Sequence, residues 1–123
     1  MLPLVFMAPL LAQVPTSQTK PFEVVHGRLS VTNGTPSVRI WRIGTKRILG
    51  VHPDESPEAL PENIRKWVQF GVNVYADFTV EPLSSAQPGR MQLVRLVSAS
   101  HVVIEQTDLP DGPKIFKLTS HAP

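Results

Sequence analysis

The chain has 123 residues, a length that suits one domain built on a single core. It contains no cysteine, which excludes a disulfide framework, a thiolate nucleophile, a Cys-ligated zinc or iron–sulfur centre and a lipidated cysteine. Twelve Lys and Arg against ten Asp and Glu leave a formal charge of +2, compatible with an anionic partner but far from the dense basic surface of a dedicated nucleic-acid binder.

Residues 1–12, MLPLVFMAPLLA, carry no charged side chain. The run has the length of a signal-peptide apolar region and is too short to cross a bilayer. A cleaved leader ending at Ala12 is therefore expected, although no Lys or Arg precedes the apolar run and Leu10 stands where a small residue is preferred. Residues 13–20, with Pro15, Thr16, Ser17 and Thr19, read as a flexible linker.

Thirteen prolines and a charged fraction of only 18% point to short strands and stiff loops. From Pro21 onward, Val25, Gly27, Leu29 and Val31 alternate with His26, Arg28 and Ser30, the period of a first strand. Asn33-Gly34 is a hairpin signal, and Pro36, with no N–H to donate, belongs at the turn edge. A second strand covers 37–43; its alternation holds for Val38 and Ile40 and then slips to Trp41 and Ile43, the mark of a bulge or of burial on both faces. Gly44-Thr45 makes a second turn, and 46–51 a short third strand. After the polar loop 52–56, residues 61–70 are expected to form a short helix: Ile64, Trp67 and Val68 share one face, Glu62 lies in the first turn, Arg65 and Lys66 follow, and Gly71 suits the position after the last turn.

The fourth strand has the clearest pattern, because Val72, Val74, Ala76, Phe78 and Val80 alternate with Asn73, Tyr75, Asp77, Thr79 and Glu81. A loop over 82–89 leads to a long strand over 91–105 whose apolar residues keep no single parity, so a bend or bulge is expected near Ser98-Ala99-Ser100. The tail 106–123 holds a turn at Pro110-Asp111-Gly112-Pro113 and an extra strand over 114–119. Three strands, a helix and two strands over 21–105 make a mostly β fold, a small five-stranded Greek-key barrel of the OB type with the helix between strands three and four.

The runs HGRLSVTNGTPSVRIWRIGTKRILGV, VYADFTVEP and MQLVRLVSASHVVIE, spread over about 22–105, resemble small exported proteins of Gram-negative bacteria that carry an OB-like barrel. The resemblance implies a periplasmic or secreted protein with a binding role, its ligand lying across strands two and three and the loops beside them.

Catalytic motifs are missing from the sequence. His26, His52, His101 and His121 form no HxH or HExxH spacing, although contact between strands one and five would bring His26 and His101 together. His52 beside Asp54 and Glu55 is explained by turn and capping preferences. Neither a GxSxG elbow nor a phosphate-binding glycine loop occurs, and Asp77 and Glu81 read as solvated or arginine-paired. No enzyme, cofactor or metal is expected.

Recognition groups concentrate at Arg39, Trp41, Arg42, Lys46 and Arg47, with Tyr75 as a neighbour on the wet face of strand four. Guanidinium groups fork onto carboxylates and phosphates, and aromatic faces stack on sugars and bases. The competing reading puts Trp41 in the core and the cations on a solvated strand edge. An exported binding or adaptor module for an envelope protein or an anionic or glycan ligand ranks first. A single-stranded nucleic-acid binder ranks second, since Phe22, Trp67, Phe70 and Phe78 all have core assignments, and a small hydrolase or metal enzyme ranks third. No stable membrane span is expected.

Overall fold

The computed structural model describes residues 21–52 and 57–118. The leader at 1–12, the linker at 13–20, most of the loop 52–56 and the end of the tail lie outside these residues. Among the described residues no helix is long and apolar enough to cross a membrane.

Six strands form one sheet: β1 (Glu23–Val31), β2 (Val38–Arg42), β3 (Ile48–Val51), β4 (Val72–Pro82), β5 (Gln92–Gln106) and β6 (Lys114–Lys117). The long β1 carries two partners, pairing with β4 from Glu23 to Leu29 and with β2 from Gly27 to Val31. Gly27 lies where the two ladders overlap. A Cβ there would stand 2.6 Å from Ile40 Cγ2 and 2.9 Å from the Trp41 carbonyl oxygen, so only glycine admits this approach of β2. Neighbouring strands are antiparallel until β3 meets the start of β5 in parallel, Leu49 opposite Gln92 and Val51 opposite Val94, which closes the sheet into a ring. β6 extends the far end of β5, with Ile104 opposite Phe116. The tail strand expected over 114–119 thus forms over Lys114–Lys117 and adds a sixth strand to the expected five; Thr119 lies outside the described residues.

Alternation decides what the ring encloses. Every second residue of β4 from Val72 to Val80 is buried, and these side chains pack with Val25, Leu29, Val38, Ile40, Leu49, Val51, Val94, Leu96 and Ile104 in one cluster. The bulge inferred from the slipped pattern of strand two is not found: the β1–β2 register runs unbroken from Gly27–Arg42 to Val31–Val38. Trp41 stands half-buried on the outer face, where Arg28 covers its ring at 5.0 Å. The anticipated irregularity of β5 is real, with register shifts on both sides of Ser98-Ala99-Ser100.

Residues 61–70 do not form the expected helix. One 3-10 turn, Arg65–Trp67, takes its place, preceded by another at Pro57–Ala59, and the segment is held by i to i+3 bonds such as Trp67 N–H to the Ile64 carbonyl at 2.8 Å. Pro61 biases Leu60 away from helical backbone, and Val68 is already extended at ψ 90° on its way into β4. The remaining span is too short for a helix to sustain itself. Core contacts and side-chain bonds hold the segment instead: Leu60 and Ile64 are buried in the main cluster, Asn63 Nδ2 donates to the Ala99 carbonyl at 2.9 Å, and Trp67 meets Phe116 of β6 edge-to-face at 5.3 Å.

Candidate functional site

The outer face of β1, β2 and β4 receives three of the six residues singled out in the sequence. Trp41, Arg28 and Tyr75 lie in one cross-strand row, since Arg28 opposes Trp41 on one side and Tyr75 on the other. Arg39 opposes Ser30 on the same face, but its Nε donates to the Pro36 carbonyl at 3.0 Å, folding the guanidinium back on its own loop. The Tyr75 hydroxyl lies 3.2 Å from Glu105 Oε1, an acceptor it shares with Asn73 Nδ2. Arg42 has the opposite parity and is paired with Glu23. The shared face of Arg39, Trp41, Arg42 and Tyr75 is therefore not assembled: Arg42 is turned away, Arg39 is folded back and Trp41 is capped.

Lys46 and Arg47 belong to a different feature, a cleft of about 380 Å³ lined by Lys46, Arg47 and Ile48 from one segment and by Ala86, Gln87, Pro88, Gly89, Arg90 and Met91 from the other. The first segment is the tip of the β2–β3 hairpin. Arg42 N–H bonds to the Arg47 carbonyl at 3.0 Å, Thr45 Oγ1 donates to the Arg42 carbonyl and accepts from Arg47 N–H, and Trp41 Nε1 donates to the Thr45 carbonyl at 2.8 Å. These bonds explain why β3 begins at Ile48 and not at residue 46. They also give Trp41 a role as a prop for the hairpin that carries Lys46 and Arg47.

The second segment is set by the run Gln87-Pro88-Gly89-Arg90. Pro at the second place and Gly at the third suit a type II turn; Gly89 has φ +75°, and Arg90 N–H closes the turn on the Gln87 carbonyl at 3.1 Å. Ser84 braces this loop against β5, with Leu93 N–H donating to its Oγ and Gln92 Nε2 to its carbonyl, both at 2.9 Å. Gln92 Oε1 in turn accepts from Arg47 Nη2 at 3.4 Å, linking the two segments. Lys46, Arg47 and Arg90 bring three cations to a lining that holds no carboxylate among the described residues, and a recess walled by one sign of charge concentrates counter-charged ligands. Arg90 and Met91 were not among the residues predicted from sequence. The Gln-Pro-Gly-Arg turn was the available signal.

A third cluster spans β1, β4 and β5. His26 Nδ1 lies 3.0 Å from Asp77 Oδ1, and His101 Nδ1 lies 3.1 Å from Asp77 Oδ2. His26 and Asp77 are direct cross-strand partners. His101 arrives by a bulge: between the pairs Tyr75–Val103 and Asp77–Ser100, β5 holds two residues against one in β4. Its φ is +54°, the only positive value at a non-glycine among the described residues. The His26 hydrogen bond, opposed by desolvation and reinforced by the His101 bond and the charges of both rings, holds the Asp77 carboxyl below its ordinary range. Histidines of strands one and five thus do meet, through the carboxylate of strand four, while His52 sits apart at the end of β3. Ser100 Oγ lies 3.5 Å from the same Nδ1 of His101 that faces Asp77. A nucleophile–base–acid relay needs the two partners on different ring nitrogens, so this trio is not a hydrolytic triad. Among the described residues no three His, Asp or Glu side chains converge to hold a metal ion.

Compared with known proteins, the chain matches no family model, no curated protein and no solved structure.

Proposed function

We propose that this chain is an exported binding module of the bacterial envelope, an OB-type barrel that holds an anionic ligand in the cleft between the β2–β3 hairpin and the β4–β5 loop. The closed order β1-β2-β3-β5-β4, with β3 parallel to β5, supports the OB assignment, because it is the Greek-key connectivity of that barrel. The uncharged apolar run at 1–12 and the resemblance to small exported proteins of Gram-negative bacteria support the address.

The observation that carries the reading is the set of Lys46, Arg47 and Arg90 around one recess that, among the described residues, has no acidic side chain in its lining. Both segments have their backbones pinned by hydrogen bonds, so the two cationic walls are fixed in place before a ligand arrives and less backbone ordering is left for it to impose. A nucleic-acid partner has less support: Trp41 already has a cation over its ring, and Phe22 and Phe70, which are exposed and not in the core as the sequence suggested, are not among the residues lining the cationic cleft.

Titration with inorganic phosphate and with a sugar phosphate at low and moderate salt tests the assignment. Replacing Lys46, Arg47 and Arg90 together by Gln is expected to weaken anion binding about tenfold or more while leaving the fold intact, since charge-assisted bonds contribute about 1.5–3 kcal/mol each. Unchanged affinity in the triple variant overturns it. Export is tested separately, by the amino-terminal sequence and cellular fraction of the chain expressed in a Gram-negative host.

A further inference from the structure

We infer that the ligand of this cleft is a single-chain anionic amphiphile, an alkyl chain ending in a phosphate or carboxylate head, and not an anionic glycan. The inference rests on the reading of the cleft as an anion site and adds the class of ligand. The cations lie on both segments, Lys46 and Arg47 on the hairpin and Arg90 on the turn facing it. Arginine forks can therefore grip one head group from two sides. The same lining also carries four apolar side chains, Ile48, Ala86, Pro88 and Met91. Ile48 is 43% exposed and so offers apolar surface at the cleft wall, and Met91 is an adaptable, polarisable surface for a flexible chain.

Sugars ask for the reverse. Each ring brings several hydroxyls that lose water on binding and need partners, and Gln87 is the one neutral polar side chain in the lining. The aromatics on which a sugar face would stack, Trp41 and Tyr75, lie outside the cleft. A recess of about 380 Å³ is at the small end of ligand sites, which are mostly apolar with a few placed polar groups.

Calorimetry on the full chain decides the matter, using decyl phosphate below its micelle threshold, glucose 6-phosphate, inorganic phosphate and vesicles of anionic phospholipid. Decyl phosphate is expected to bind about tenfold or more tighter than either of the other phosphates, because alkyl carbons leave water. Ile48→Ser and Met91→Ser are expected to remove that advantage, bringing decyl phosphate affinity down to that of inorganic phosphate, whereas Arg90→Gln weakens the binding of both. Ile48 and Met91 lie outside the buried core, so these variants keep the fold. Equal or tighter binding of glucose 6-phosphate overturns the amphiphile and leaves the anion site standing. Binding to vesicles with none to monomeric decyl phosphate overturns it as well, and failure of every anion overturns both readings.

Discussion

Asp77 accepts one imidazole on each oxygen, and this single carboxylate joins three strands. Its carboxyl is held below the ordinary range, with the His26 hydrogen bond as the largest cause. A depressed carboxyl favours the folded state above the ordinary carboxylate range, and that contribution is lost as the pH falls through the depressed value. Asp77→Asn is therefore expected to lower the urea midpoint near neutral pH, with the gap from the parent chain closing as acidification protonates the carboxyl. A gap of the same size at every pH would show that Asp77 acts through packing alone. Residue identity was legible here and partnership was not: the sequence marked His26 and Asp77 as outward-facing, but which charges meet depends on register, and no spacing between positions 26, 77 and 101 encodes it. The same limit applies to Arg39 and Arg42. Their guanidinium groups read as available cations, yet one is folded onto the Pro36 carbonyl and the other is paired with Glu23.

At the scale of elements, strand periodicity was the reliable signal. The alternation of β4 is reproduced residue by residue in its burial, because a half-buried strand has one dry and one wet face. The loss of parity in β5 announced its bulges for the same reason. The segment 61–70 misled because Ile64, Trp67 and Val68 have helical spacing but are fixed by tertiary contacts, which override a short and weak helical preference. The bulge that brings out His101 places a non-glycine residue at φ +54°, a region that His tolerates better than β-branched residues do. His101→Val is accordingly expected to destabilise the fold by about 1–3 kcal/mol in a denaturant titration. His101→Asn is expected to be much milder. Equal losses in the two variants would mean that the imidazole contact, and not the backbone, sets the cost.

For the whole molecule, the closed sheet explains why the cleft exists where it does. β3 reaches β5 through three residue pairs, Leu49–Gln92, Gly50–Leu93 and Val51–Val94. That closure carries the β2–β3 hairpin up to the loop that precedes β5. Strand order and mostly β class were legible from alternation and turn residues, and so were Lys46 and Arg47 as recognition groups. The other wall of the cleft was not, since residues 82–89 read only as a loop, and a loop's neighbours are set by ring closure and not by its own composition. Trp41 changes meaning for the same reason: its Nε1 bond to Thr45 makes it a support for the cationic hairpin instead of a stacking surface.

A two-dimensional amide NMR titration with decyl phosphate distinguishes the cationic cleft from the aromatic row of the outer face as the proposed ligand site. Binding in the cleft is expected to shift the amides of residues 46–48, 86, 87 and 89–91 together in a saturable manner, with Arg28, Trp41 and Tyr75 unmoved beyond the effect passed through Thr45. Shifts centred on Arg28, Trp41 and Tyr75, with residues 86–91 silent, would contradict it.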